Sequence, residues 1–280
     1  MEALFDLSGI GSRLLTFFSG QAPRLMVVAG FLLCFVLAER ICGRDWRKYA
    51  RRGARTDGIY TLLALTGLYS LVFWLPVYGV LDKLLTAILP ALPLELTHSW
   101  PPALQLGAFL IAGDFFAYWT HRAMHASPSL WAFHSIHHSQ VEPTVLTSYR
   151  FHFVDTLLLN FVFFAVSRFL SLPVATWLLV MGIVELISCL QHANLDWGYG
   201  PLDSVLISPR YHSIHHSLAA EHRDRNFAML FSFWDRIFGT AVEARRLPAA
   251  YGVAGDDIPE AFFSQMVLPF DRLRRTMRGE

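Results

Sequence analysis

HRAMHASPSLWAFHSIHHS, residues 121–139, places five histidines in nineteen positions, and their spacing decides what the rest of the chain has to be. His121 and His125 lie four residues apart, so on a helix both imidazoles leave one face and can hold the same ion. His134, His137 and His138 combine spacings of three and four. The adjacent pair His137/His138 diverges enough to reach two different ions. HSIHHS then returns letter for letter at 212–217, bringing His212, His215 and His216. His192, in QHANLDWG, stands alone after the last long apolar run. Nine of the twelve histidines fall in these four groups.

Imidazole suits zinc, copper, iron and nickel better than magnesium or calcium. Nine imidazoles exceed what one ion can use, so the economical reading is two ions. No carboxylate or thiol lies inside the spacings, which argues against a carboxylate-bridged soluble bundle and against a structural zinc site built with cysteine. A lone histidine is more often a surface or satisfied core residue. Three patterned boxes reverse that balance.

Working outward, the chain is 54% hydrophobic and only 16% charged, with a formal net charge of +1. A near-neutral chain gives no electrostatic footprint for nucleic acid. Cys34, Cys42 and Cys189 form no CxxC pair, so neither a disulfide framework nor a thiolate metal site is expected. No basic stretch with a following apolar region and cleavage site marks a removable signal peptide. Repeats of long period and flexible linkers are also lacking, so one domain is expected over 1–280.

Five apolar stretches approach membrane-spanning length: 25–42, 59–81, 103–120, 153–171 and 174–190. The first is cleanly apolar only to Ala38. The last two form a hairpin around Leu172-Pro173 whose combined length barely covers two crossings, which leaves a partly inserted hairpin open. Leu14–Phe18 reads as part of an interfacial helix. The expected fold class is therefore all-α: an integral membrane bundle of about four to five spans or partial spans. A helical cytosolic cap, residues 121–152 and 191–280, holds a histidine-rich two-metal site.

Charge supports that orientation independently of the histidines. Residues 43–58 carry six Lys/Arg, whereas 82–102 carry one Lys. Positive charge favours the cytosolic side, which places 43–58 there and 82–102 opposite. Alternation then returns every grouped histidine to the cytosolic face, together with Arg245, Arg246, Arg272, Arg274, Arg275 and Arg278.

Other residues are candidates to support the ligands. Asp114, Tyr118, His121 and His125 form one helical stripe, and Asp114 could accept the second N–H of a ligating imidazole. An acidic residue in a span is costly, so Asp155 and Glu185 raise the same question. Asp155 could simply reach the interface. Glu185 divides evenly between an ion- or substrate-facing role and a helix–helix hydrogen bond. His152 reads equally as a tenth ligand or as an interfacial histidine beside Arg150. His98 and His222 read as solvated. Asn226 and Asp235 either orient ligands or cap helices and turns. Phe151, Phe153, Phe227, Phe231, Phe233 and Trp234 could line a lipid channel or simply pack.

The boxes HRAMH, HSIHHS and HSIHHS, followed by NFAMLFSFWDRIFGT, resemble the fatty acid hydroxylase/sterol desaturase superfamily, from about Asp114 to Thr240. The tail YGV…PF is also similar. The resemblance implies a membrane enzyme with two histidine-held iron ions, which zinc can replace in purified protein. It implies O2 as co-substrate and a lipid substrate that is hydroxylated, desaturated or oxidatively demethylated. His121, His125, His134, His137, His138, His192, His212, His215 and His216 carry over as ligands, and His152 matches less closely. No fused cytochrome b5 domain fits in the chain, which implies a separate electron donor of cytochrome b5, ferredoxin or reductase type.

The competing class is a non-enzymatic metal-binding or metal-transport protein of the membrane. Transporter ligands should sit near the bilayer midplane, whereas these fall at or beyond the span ends. A haem protein would need only one or two axial histidines per haem.

Overall fold

The computed structural model describes residues 10–69, 80, 83, 97, 99–243 and 245–279, with side chains from residue 25 onward except at 174, 175 and 178. Among these residues the fold is helical. In chain order the helices are α1 (Ile10–Ile41), α2 (Arg52–Leu65), α3 (Pro102–Ala126), α4 (Pro128–His138) and α5 (Phe153–Phe169). They continue as α6 (Val174–His192), α7 (Pro209–His215), α8 (Phe233–Ile237) and α9 (Phe262–Arg278). Short 3-10 turns lie at Trp46–Ala50, Val145–Tyr149, Gly200–Ser204 and Ala220–His222. The described β pairing is one isolated bridge, Ser217 with Tyr251.

Local chemistry sets the helix starts nearest the histidines. Both HSIHH boxes sit on helices that open Ser-Pro. Ser127 Oγ accepts from Leu130 N–H ahead of Pro128, and Ser208 Oγ accepts from Tyr211 N–H ahead of Pro209. Serine satisfies an N–H that a helix start leaves free, and proline at the first position loses nothing. Each box therefore closes a helix at its C-terminal end.

α3 packs along α5 and α4, and α6 packs against α7 and the Val145–Tyr149 turn. Phe109, Ala117, Phe163, Val166 and Val180 join α3, α5 and α6 in one apolar layer. Val28, Leu32, Val145, Cys189 and Leu195 join α1 to α6 in another. α9 closes over α4 and α2.

Two expectations about the apolar stretches change. The charged segment 43–58 between the first two stretches is partly helical: α2 begins at Arg52 and buries Ala54, Thr56, Asp57, Tyr60 and Thr61. The stretch 59–81 is not one helix, because α2 stops at Leu65. There Thr66 turns its hydroxyl onto Leu62 O, and Gly67 takes a left-handed φ of 73°. Most of the remainder of that stretch, and most of 82–102 with His98, lies outside the described residues.

The stretch 25–42 lies almost wholly in α1, and 103–120 lies within α3; 153–171 ends just past α5, and 174–190 lies within α6. Among the described residues no helix is long and apolar enough to cross a membrane. α5, at 17 residues, is too short for a crossing, and Asp114, His121 and Arg122 interrupt the apolar run of α3. Helices thus stand at four of the five apolar stretches, while among the described residues none is shown to cross a membrane.

Candidate metal centre

The nine grouped histidines, which span almost a hundred residues of sequence, meet in one place and divide into two groups. His121, His125, His134, His138 and His215 form one; His137, His192, His212 and His216 form the other. Within each group one ring nitrogen per residue lies within 4.8 Å of all the others. α3 supplies His121 and His125, α6 ends in His192, and the two boxes are shared out. In α4, His134 and His138 go to the five-histidine group and His137 to the four-histidine group. In α7 and its cap, His215 goes to the five and His212 and His216 to the four.

The outer ring nitrogens are held by backbone carbonyls. His121 Nδ1 pairs with Phe227 O at 2.7 Å and His137 Nδ1 with Arg150 O at 3.1 Å. His192 Nδ1 pairs with Ser188 O at 2.8 Å and His215 Nδ1 with Arg225 O at 2.9 Å. A carbonyl only accepts, so each of these Nδ1 atoms carries the hydrogen, and Nε2 in the neutral ring is a bare lone pair.

At His137 and His192 two such lone pairs point at each other. His137 Nε2 and His192 Nε2 stand 3.2 Å apart, although both rings already donate from Nδ1. Further Nε2 pairs lie at 3.0 Å (His121–His134), 3.2 Å (His192–His212) and 3.1 Å (His212–His216). Facing lone pairs need a cation between them. With metal–nitrogen bonds of about 2.0–2.1 Å, neighbouring ligands sit about 2.8–3.4 Å apart, which is the separation found. Nε2 of His125, His138 and His215 is also buried without a hydrogen-bond partner. The residues present therefore fit two ions held by nitrogen alone.

Burial keeps these rings neutral and ready to ligate. It pushes His121 and His192 down to about 4. His125, His134, His137, His138, His212, His215 and His216 are held well below the usual imidazole range, first by burial and then by the neighbouring histidines. A proton is thus a poor candidate to sit between these nitrogens.

The carbonyls come from segments that are themselves fixed. Asp114 accepts from the N–H of Leu230 and Phe231, both at 2.8 Å. Asp235 accepts from the N–H of Phe227 and Ala228, the hydroxyl of Tyr211 and the hydroxyl of Thr240. Asn226, at a left-handed φ of 56°, donates to Tyr211 O and Val242 O and accepts from Val242 N–H. Together they hold the 225–240 loop that offers Arg225 O and Phe227 O to the histidines. Asp114 and Asn226 therefore act one step further out than a direct bond to a ligand.

His152 joins neither group. Its Nδ1 accepts from Val154 N–H, its Nε2 pairs with Met266 O, and its ring packs on Phe133, Phe153 and Phe270. Glu185 accepts from the hydroxyl of Tyr149 at 3.1 Å. His222 pairs with Ser217 Oγ. Of the aromatics, Phe151 stacks on His137 at 4.0 Å and Phe227 meets His121, His125 and His215 edge-on. Phe231 stacks on Phe233, and Trp234 packs against Phe233, Phe115 and Phe238.

The sequence reading missed the lock behind His137. Arg150 is buried, and its guanidinium pairs with Asp57 and donates to Gly53 O and Ser139 Oγ. Asp57 also accepts from Gln140 and Thr147. Asp57 lies in the strongly basic segment 43–58; its helical spacing of three and four from Tyr60 and Thr61 was the available signal. Glu39 does similar work from α1, accepting from Val145 N–H and Asn194 N–H. Against the four-histidine group, Gln140, Asn194, Ser213 and Tyr251 line a cleft of about 20 Å³, close to the space of one water molecule.

Residues 106–240 match the family described as fatty acid hydroxylase, and all nine grouped histidines lie inside that stretch. The chain is 33% identical to ornithine lipid hydroxylase OlsE of Rhizobium tropici over 177 residues, 63% of this chain and 53% of that protein. It is 30% identical to the Homo sapiens alkylglycerol monooxygenase over 140 residues, 50% of this chain and 31% of the relative. Over 138 residues it is 28% identical to methylsterol monooxygenase 1-3 of Arabidopsis thaliana, covering 49% and 47%. The aligned stretches thus span about half or less of each relative. No solved structure matches the chain.

Proposed function

Since residues 106–240 make this chain a member of the fatty acid hydroxylase/sterol desaturase superfamily, we propose that it is an O2-dependent lipid oxidoreductase working at a two-iron centre. The observation that carries the reading is the five-plus-four convergence of neutral, lone-pair-bearing imidazoles. His121, His125, His134, His138 and His215 would hold one ion, and His137, His192, His212 and His216 the other. Two irons with O2 and electrons supply an oxidant able to take hydrogen from an unactivated C–H bond; zinc can occupy the same nitrogens without that chemistry.

The protein's part is positional. The carbonyls of Phe227, Arg150, Ser188 and Arg225 fix ring orientation and keep hydrogen off Nε2. Phe151, Phe227 and Trp131 pack on the rings and exclude water. No acid or base beyond the metal centre is assigned. The substrate class is a lipid, and the name of the Rhizobium relative puts an ornithine lipid first among those to try. Electrons come from a separate donor of cytochrome b5, ferredoxin or reductase type. Nucleic acid is not a partner.

The whole chain, 1–280, acts as one membrane-embedded unit with the metal centre on the cytosolic face. Apolar side chains exposed along α1 (Met26, Val27, Leu33) and α3 (Leu104, Ile111, Phe116) support contact with lipid. The charge asymmetry between 43–58 and 82–102 supports the orientation.

The test is to load the purified protein with Fe(II), supply O2 and each donor type, and follow lipids by mass spectrometry. The expected result is a gain of one oxygen or a loss of two hydrogens, absent in His137→Ala. Full iron occupancy with no O2-dependent lipid change under any donor counts against the proposal. Metal flux across vesicles in its place would favour the transporter reading.

A further inference from the structure

Two buried groups beside the five-histidine set face each other, neither with a completed hydrogen bond on the facing atoms. His134 presents Nε2 to His121, and its Nδ1 is buried without a partner. Asp155, in the first turn of α5, is fully buried; the His152 N–H approaches its carboxylate, but neither oxygen completes a hydrogen bond. Asp155 Oδ2 stands 4.0 Å from His134 Nδ1. That gap is too long for a hydrogen bond and too short for a water between two ordinary ones, but a small ring rotation closes it.

The other buried aspartates are already occupied. Asp57 holds Arg150, Gln140 and Thr147; Asp114 and Asp235 hold backbone amides. Asp224 approaches His125 Nδ1 at 3.3 Å, but its side chain is 60% exposed and water screens it. Two dications on neutral ligands leave positive charge buried, and a buried charge needs a compensating partner. Asp155 is the buried aspartate left to answer it.

We propose that Asp155 is a positioning residue for the five-histidine group. Resting on the metal reading above, its carboxylate accepts His134 Nδ1–H, fixes the tautomer that turns Nε2 inward, and strengthens that ligand. The alternative role is favouring the start of α5, where a carboxylate suits the helix dipole. That start already has its cap, since His152 Nδ1 takes Val154 N–H.

Metal-free full-length protein is titrated anaerobically with Co(II), following the ligand-field absorbance and metal per chain. Wild-type protein taking up no Co(II) would defeat the metal reading itself, on which this assignment rests. Asp155→Leu should weaken one of two ions by roughly 10–100-fold and leave the other unchanged. Asp155→Asn, which keeps an acceptor but not the charge, should recover part of the loss and covers the case in which the leucine variant does not fold. Combined with His134→Ala, Asp155→Asn should add little; combined with His212→Ala it should add in full. Wild-type affinities at both sites in Asp155→Asn would overturn the assignment. So would an equal loss at both sites together with a lower Tm of the metal-free protein, the signature of a helix-start role.

Discussion

The two HSIHHS boxes are identical in sequence and different in structure. At 134–139 two histidines enter the five-histidine group and one the four; at 212–217 the shares are reversed. Their surroundings differ as well. The first box ends an eleven-residue helix and is braced by the buried Arg150–Asp57 pair; the second ends a seven-residue helix and leans on the 225–240 loop. Helical spacing ensures that neighbouring imidazoles diverge, but which ion each one meets is decided by the helix packed opposite.

The largest effects should separate the two groups by their number of ligands. His212→Ala leaves three imidazoles in the four-histidine group, so the protein should drop from about two to about one iron per chain. Lipid oxidation should fall by more than about 100-fold, since even outer partners of ligands are worth roughly 10–100-fold. His215→Ala leaves four in its group and should retain more metal than His212→Ala. Elemental analysis alongside turnover checks the ordering; equal retention would mean the groups are not distinct.

Lowering the pH should weaken both groups together. His121 and His192, one from each, have folded values of about 4 against about 6.5 unfolded. Between those values the unfolded chain binds more protons, so stability present above about 6.5 is lost as the pH falls toward 4. Thermal melts of the metal-free protein from pH 7.5 to 5 should show a falling Tm. Metal should leave over the same range, because protons compete for Nε2. A flat profile would mean the rings are not buried as described.

The brace behind the first box comes next. Arg150→Met strands the Asp57 carboxylate in the interior, and breaking a buried pair from one side costs about 3–5 kcal/mol. It should also loosen the segment carrying Arg150 O, so the four-histidine group should lose affinity first. Asp57→Asn should cost less, because an amide still accepts from Gln140 or Thr147. Chemical denaturation paired with metal titration resolves the two effects.

Much of this was legible in the chain and some was not. The convergence of the nine histidines could be read because imidazole spacing is a local property of a helix, and the spacing of His121/His125 and of each box survives intact. The helical stretches 103–120, 153–171 and 174–190 followed from apolar runs bounded by prolines. The supports were harder to read because they act over long sequence separations. Asp114 meets Leu230, Asp57 meets Arg150 and Glu39 meets Asn194, and no spacing rule links such pairs. His152 read equally as a ligand or an interfacial histidine from its neighbours in sequence, and only the packing shows it buried and turned to Val154 and Met266 instead.

The smallest effect probes the boxes at their shared beginning. Ser127 and Ser208 cap equivalent helices, and replacing such a cap by alanine costs on the order of 1 kcal/mol. The two should not cost the same. Ser208 is fully buried and its Oγ lies 3.2 Å from Tyr211 N, whereas Ser127 is half-exposed with its contact at 3.4 Å. Alanine at 208 leaves a buried N–H with no acceptor; at 127, water can replace the serine. The second helix is also only two turns long, so fraying at its start reaches His212 within a turn. Ser208→Ala should therefore lower both stability and the affinity of the four-histidine group, while Ser127→Ala should lower stability slightly and metal affinity hardly at all. If the two variants matched in both measurements, the difference in support between the identical boxes would have no energetic consequence.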